Sequence, residues 1–223
     1  MTRTRMSRQR LWWFGVLILL AWTFGFAGYK ARPWKPRALE TYPARQSSQG
    51  VTIAIDPLFR DPMAAQVFDK DDIISRGIMP LAVVVFNDND YPVQLNSATI
   101  ELIQDDERTR TQEPDEVVPM LFKKTGSKMS LPIPIPRGAS SGSNALDEPM
   151  ADFDHKFLAD KTVGPHSTAG GFLYFRVPQI KNLPEQLLKA TLYIPDISRL
   201  DNGTRLMYFE IELKPAIEAA TAK

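Results

Sequence analysis

The 223-residue chain has 27 Lys+Arg, 26 Asp+Glu, a formal charge of +1 and no cysteine. The total hides a segregation. Residues 1–37 carry eight basic and no acidic side chains, which leaves 19 basic against 26 acidic in residues 38–223, a net of −7. An acidic body argues against nucleic acid, whose affinity rests on neutralising phosphates, and 43% hydrophobic composition with 10% aromatic argues against wholesale disorder.

Residues 1–10 are a basic flank with Arg3, Arg5, Arg8 and Arg10. Residues 11–29 follow without a charge, and as a helix they span about 28 Å, close to the hydrocarbon core of a bilayer. The expectation is a transmembrane anchor built on Leu11, Trp12, Trp13, Phe14, Trp22, Phe26 and Tyr29. Trp12 and Trp13 at one end, with Tyr29 and Trp34 at the other, fit an aromatic belt, and Trp22 is apolar bulk within the run. A buried core helix is the bland alternative. The sharper rival is a cleaved signal peptide, but its apolar stretch is usually 7–15 residues and ends in a small-x-small site, which Phe26-Ala27-Gly28 matches poorly. With no cysteine, lipid attachment to an N-terminal Cys is excluded. Counting the α-amino group, five positive charges precede the run, and Lys30, Arg32, Lys35 and Arg37 follow it, a slight preference for the N-terminus inside.

Residues 30–50, rich in Pro, Arg, Ser and Gln, read as a tether. Short strand patterns begin at residue 51. Val51, Ile53 and Ile55 share a face, and a helical turn near residues 63–68 interrupts the connection that follows. Residues 78–86 are apolar on both faces, which predicts a central strand covered by another element or by a partner. Asn87-Asp88-Asn89-Asp90 is a turn. Residues 92–103 change apolar phase, as one bulged strand would. Residues 105–110 read as a polar turn, and residues 114–124 as a short amphipathic helix. Residues 126–150 form a Pro/Gly/Ser-rich insertion, with polyproline II over 131–136. A second helix is expected at 149–159, then strands at 172–177, 191–194 and 205–213, the last two joined through a turn at Asp201-Asn202-Gly203. The tail 215–223 reads as frayed.

Many short strands with little helix predict a mainly β domain over 51–214, a β-sandwich with one or two short helices. Residues 77–87, a strand ending in Asn before a hairpin, and residues 163–175, a Pro-containing turn before Gly171-Phe172-Leu173-Tyr174-Phe175, resemble the immunoglobulin-like domains of bacterial envelope proteins. The resemblance covers about residues 51–214 and carries no catalytic motif or site residue. It implies an immunoglobulin-like sandwich in the cell envelope, in a family mostly of unknown function and often lipidated. The location that follows is the bacterial inner (cytoplasmic) membrane, single-pass, with the C-terminal domain periplasmic or extracytoplasmic.

Candidate chemistry is sparse. Gly138-Ala139-Ser140-Ser141-Gly142 fits the nucleophile-elbow pattern but lacks the strand before it and the helix after it, so a flexible loop is the simpler reading. The only histidines are His155 and His166. Asp152, Asp154, His155 and Asp160 suggest a metal cluster, against which stands a solvated helix face. Asp69, Asp71 and Asp72, and separately Asn87 to Asp90, offer oxygen ligands for calcium without the EF-hand spacing. Gly170-Gly171 reads as a turn entering a strand. No catalytic, metal or cofactor residue is assigned. The expectation is a non-enzymatic anchored protein whose sandwich binds an envelope protein partner, with a calcium- or small-ligand-binding domain as the alternative.

Overall fold

A computed structural model describes residues 28–122, 146–159, 161–177, 181–206 and 208–222. Residues 11–27 of the expected anchor, the 131–136 proline run and Ser140 lie outside the described residues. Among those described, no helix is long and apolar enough to cross a membrane.

The body is mainly β. Its strands are β1 (Ala44–Ser48), β2 (Val51–Pro57), β3 (Ile78–Asn87), β4 (Val93–Leu95), β5 (Glu101–Gln104) and β6 (Glu107–Gln112), followed by β7 (Lys161–Val163), β8 (Ser167–Arg176), β9 (Thr191–Ile194), β10 (Ile197–Arg199) and β11 (Phe209–Glu212). Short helices intervene: α1 (Asp61–Ala64), α2 (Pro114–Phe122), α3 (Asp147–Lys156), α4 (Leu183–Leu187) and α5 (Lys214–Thr221). Eight strands run in the order β1-β2-β3-β8-β6-β5-β9-β11, and β10-β4-β7 form a separate sheet.

The eight-stranded sheet folds over at β6. Glu107 and Arg110 of this strand pair with Gln104 and Glu101 of β5, whereas Thr111 and Gln112 pair with Phe175 and Tyr174 of β8. A strand that changes partners along its length turns a corner between two faces. The free edges then approach each other, and the Glu210 N–H of β11 donates to the Gln46 Oε1 of β1 at 2.9 Å. The sheet is nearly closed around inward side chains such as Ile53, Val83, Val85, Leu102, Leu173, Leu192 and Ile211, all buried.

Residues 78–86 become the middle of this sheet, paired with β2 on one side and with β8 on the other. Their outer face is covered by the chain itself: Val84 packs with Ala54 and Tyr42, flanked by Trp34 and Leu39. Of the two covers the sequence allowed, another element supplies it.

Several expectations are corrected. Residues 30–50 are not a free tether. A 3-10 turn at Leu39–Thr41 leads into β1, which pairs with β2 through a Gln49-Gly50 turn with φ of 47° and 73°. A Cβ on Gly50 would stand 2.4 Å from Asn89 Oδ1, so the turn requires glycine for space as well as for conformation. Residues 92–103 are two strands in different sheets, β4 and β5, separated by a 3-10 turn at Ser97–Thr99. The phase change marks this switch of sheet, not a bulge. Residues 105–110 hold more than a turn: Asp105 and Asp106, with φ of 45° and 68°, reverse the chain, and β6 follows at once. Its polar sequence hid it, because none of its side chains is buried. Among the described residues of 205–213 only Phe209–Glu212 form a strand. The tail is the helix α5, with Ala216 and Ile217 buried, so it is core and not frayed. Gly170 and Gly171 lie inside β8.

Candidate functional site

Residues 28–43 run from the apolar stretch into β1 as an arm laid across the body. Tyr29, expected in an interfacial belt, instead packs edge-on against Phe122, with centroids 5.6 Å apart, and donates its hydroxyl to Asp152 at 2.6 Å. The Lys30 N–H donates to Asp69 at 2.8 Å, and the Arg32 guanidinium reaches Asp69 at 3.0 Å and the Ala65 carbonyl. Trp34 packs against Phe172 at 4.8 Å. Arg37 donates from its backbone to the Tyr42 hydroxyl and from its side chain to Asp56 at 2.6 Å.

Two glycines let β8 accept neighbours on both sides. A Cβ on Gly170 would come within 3.2 Å of the Trp34 ring and 3.0 Å of the Val83 carbonyl. On Gly171 it would meet the Lys156 carbonyl at 2.8 Å and the Leu158 nitrogen at 2.9 Å, where the end of α3 runs beside the strand.

Where the arm meets α3 lies a buried ion pair. Asp152 and Lys156 stand one helical turn apart, with side chains only 5% and 3% exposed, and the ammonium contacts Asp152 Oδ1 directly. The ammonium also sits 5.1 Å from the centre of the Phe68 ring. Around it Phe153 lies 4.5 Å from Phe68 and 5.4 Å from Tyr174, whose hydroxyl donates to the Phe153 carbonyl at 2.9 Å. Burial pushes the Lys156 ammonium below the usual lysine range, against the pull of Asp152. Burial, reinforced by the Asp152 charge, pushes the Tyr29 and Tyr174 hydroxyls well above the usual tyrosine range. Asp152 holds Lys156 with one oxygen and Tyr29 with the other. This arrangement brackets the arm to the helix, and the ion pair is too enclosed to serve as an open base or nucleophile.

Between the arm, α1 and α5 lies a cleft of about 480 Å³. Trp34, Leu58, Met63, Phe172 and Ala216 supply apolar lining, while Arg37 and Arg60 stand among its polar residues. Arg37 is held by Asp56, and Arg60 donates to Thr221 Oγ1 at 3.1 Å. Sequence reasoning missed this cleft because its walls were read as a tether and a frayed tail. Neither segment carries a local signal of docking.

The other sequence candidates scatter. Asp152 is buried in the ion pair, whereas Asp154 and His155 are exposed, and Asp160 lies outside the described residues. Asp69 is held below the usual carboxylate range, first by the Lys30 N–H and then by Arg32. Burial opposes the charge of Asp72, yet hydrogen bonds from Lys70 and Arg76 together hold its carboxyl low. These oxygens face cations of the chain, and among the described residues no group of three His, Cys, Asp or Glu could hold a metal ion. Asn87 is a buried knot. Its amide donates to the carbonyls of Tyr91, Val163 and Gly164 at 2.8, 3.2 and 2.9 Å, and its oxygen accepts from Asn89. His166, with φ of 46°, pairs with Asp90 at 2.8 Å on the surface.

No family model matches the chain, and no curated protein does. Two solved structures from Bacillus subtilis resemble it distantly. One is a putative lipoprotein (ycdA), with 15% identity and a TM-score of 0.39 over 82% of this chain and 42% of that one. The other is the yjhA protein, with 10% identity and a TM-score of 0.37 over 69% and 80%. The chain thus spans about two-fifths of the lipoprotein's length.

Proposed function

We propose that the chain is a non-enzymatic, single-pass membrane protein of the bacterial envelope, and that its β body is an extracytoplasmic module for binding another protein. Residues 11–27 enter the bilayer in this reading, with the basic N-terminus inside, and the body is an immunoglobulin-like sandwich variant whose two faces join at β6. The observation that carries it is the arm. The last residue of the uncharged stretch, Tyr29, is itself stitched to the core through Asp152. A body tied down so close to an anchor is held next to the membrane in a fixed orientation, which suits a subunit that presents one surface to a neighbour. The test is threefold. The full-length protein should stay in the membrane pellet through alkaline extraction. Its body should be cut by protease added from the outer side. A defined protein should co-purify from mild detergent. Release into the alkaline supernatant would remove the anchor, and protection from outside protease would invert the topology.

The cleft of about 480 Å³ favours a second reading, a small-ligand domain whose apolar walls and Arg60, beside the Arg37–Asp56 pair, suit an amphiphilic anion. A long-chain fatty acid raising the melting temperature of the full-length protein would support it, since a ligand of the native state stabilises that state. Millimolar calcium is expected to give no shift, because the carboxylates of Asp69 and Asp72 are engaged by the chain's own cations.

A further inference from the structure

Among the described residues nothing buries the outward face of β6-β5-β9-β11, and its register arranges charge in a particular way. One row across it reads Arg110, Glu101, Tyr193, Glu210, and the next reads Arg108, Ile103, Thr191, Glu212. None of these eight side chains is buried. Strands lie about 4.8 Å apart, so a column of two arginines stands about 14 Å from a column of two glutamates, with Glu101, Ile103, Tyr193 and Thr191 between. Tyr208, just before β11, is 51% exposed, and its ring lies 6.1 Å from that of Tyr193. Glu101 lies 2.8 Å from Arg108 and 3.6 Å from Arg110, one carboxylate shared by two guanidinium groups, and the Arg108 guanidinium lies 5.7 Å from the centre of the Tyr193 ring.

We propose that this face is a homodimer interface, on which a second copy of the chain packs face to face about a two-fold axis lying along the strands between β5 and β9. That rotation reverses the order of columns. The arginines of one copy then stand over the glutamates of the other at both ends, while Tyr193 meets Glu101 and Ile103 meets Thr191 nearer the axis. A patch that is its own complement is what an isologous contact requires. Tyrosine and arginine are also the residue types enriched at such contacts. A bilayer or a polyanion would call for one sign of charge, and this face carries both. The proposal rests on the reading of the body as a protein-binding module and names the partner.

The experiment uses two differently tagged full-length copies, co-expressed and extracted in mild detergent, with capture on one tag and light-scattering mass of the eluate. The wild-type copy should capture its untagged-for-capture sibling at dimer mass. Arg108→Glu/Arg110→Glu and Glu210→Arg/Glu212→Arg should each lose self-capture by about tenfold or more. The two variants together should recover it, as should all four reversals in one chain, because each restores opposite charges at both ends. A monomeric wild type, undiminished capture in either reversed variant, or failure of the mixed pair to recover overturns the proposal. Should the reversals unfold the body, Tyr208→Ser decides, with retained self-capture again fatal. A monomer that stays in the alkaline pellet and retains a different co-purifying protein would defeat the dimer alone. A dimer that washes off the membrane would defeat the anchor alone.

Discussion

The hydroxyl of Tyr29 donates to Asp152 across 123 positions of sequence, at 2.6 Å, and so ties the last residue of the uncharged stretch to a buried ion pair in α3. The bond is partly buried, so losing it costs more than losing a surface contact. Tyr29→Phe keeps the ring against Phe122 and removes only the donor. The expected loss is about 1 kcal/mol, or roughly 2–4 °C in melting temperature for a body of this size. Tyr29→Ala should cost clearly more, because it also removes the edge-on aromatic contact. Equal melting temperatures for the wild type and both variants would show that the arm is not docked through this residue.

The Asp152–Lys156 pair should behave as a coupled unit. Lys156→Met leaves a buried carboxylate with a single hydroxyl partner, and Asp152→Leu leaves a buried ammonium with an aromatic face. Each single change is expected to cost about 3–5 kcal/mol. The double variant Asp152→Leu/Lys156→Met should cost less than either, since no charge remains to be stranded and the added side chains are apolar in an apolar site. Denaturant midpoints of the four proteins decide this, and simple additivity would refute the coupling.

Asn87 donates to three carbonyls on two other segments and so holds the end of β3 against the turn before β8. Asn87→Ala should cost about 2–3 kcal/mol by stranding those acceptors. Asn87→Asp should be worse at neutral pH, because a carboxylate would face three carbonyl oxygens, and it should recover in part on acidification as the acid regains a donor. A variant with unchanged stability at both pH values would show the knot to be dispensable.

Stability should fall at both ends of the pH scale for identifiable reasons. The folded state holds the Tyr29 and Tyr174 protons more tightly than the unfolded chain, in which tyrosine ionises near 10. Their contribution is complete below about pH 10 and is lost progressively above it. Asp69 is shifted the other way, so its contribution is present above the usual carboxylate range, near 4, and fades as the pH falls through its lowered folded value. Denaturation midpoints across this range test both arms. In ultraviolet titration, these two of the six tyrosines should ionise only on unfolding. Smooth ionisation of all six in the native protein would contradict the buried placement.

Much of the β content was legible locally, because alternation reports burial directly. Residues 191–194 form β9 as the pattern implied, and Phe209 and Ile211 point inward while Glu210 and Glu212 point out. The two short helices formed near where apolar spacing placed them, as α2 and α3, although α3 starts at Asp147 and ends at Lys156, leaving Phe157 extended. The strand β6 was invisible because its place at the corner buries none of its side chains, so no alternation marks it. The helix α5 was missed because Ala216 and Ile217 find their core only through tertiary contact.

The sequence by itself determined the segregation of charge, the uncharged stretch at 11–29 and a body built from short strands, since these follow from composition and from the period of two along a strand. Tertiary structure alone decided that the arm is part of the body, that Asp152 is buried beside Lys156 and Tyr29, and that two arginines and two glutamates line opposite columns of one face. Each of these depends on bringing together residues tens of positions apart. Hydrophobic periodicity is blind to such pairing, because it records whether a side chain is buried and not what it is buried against.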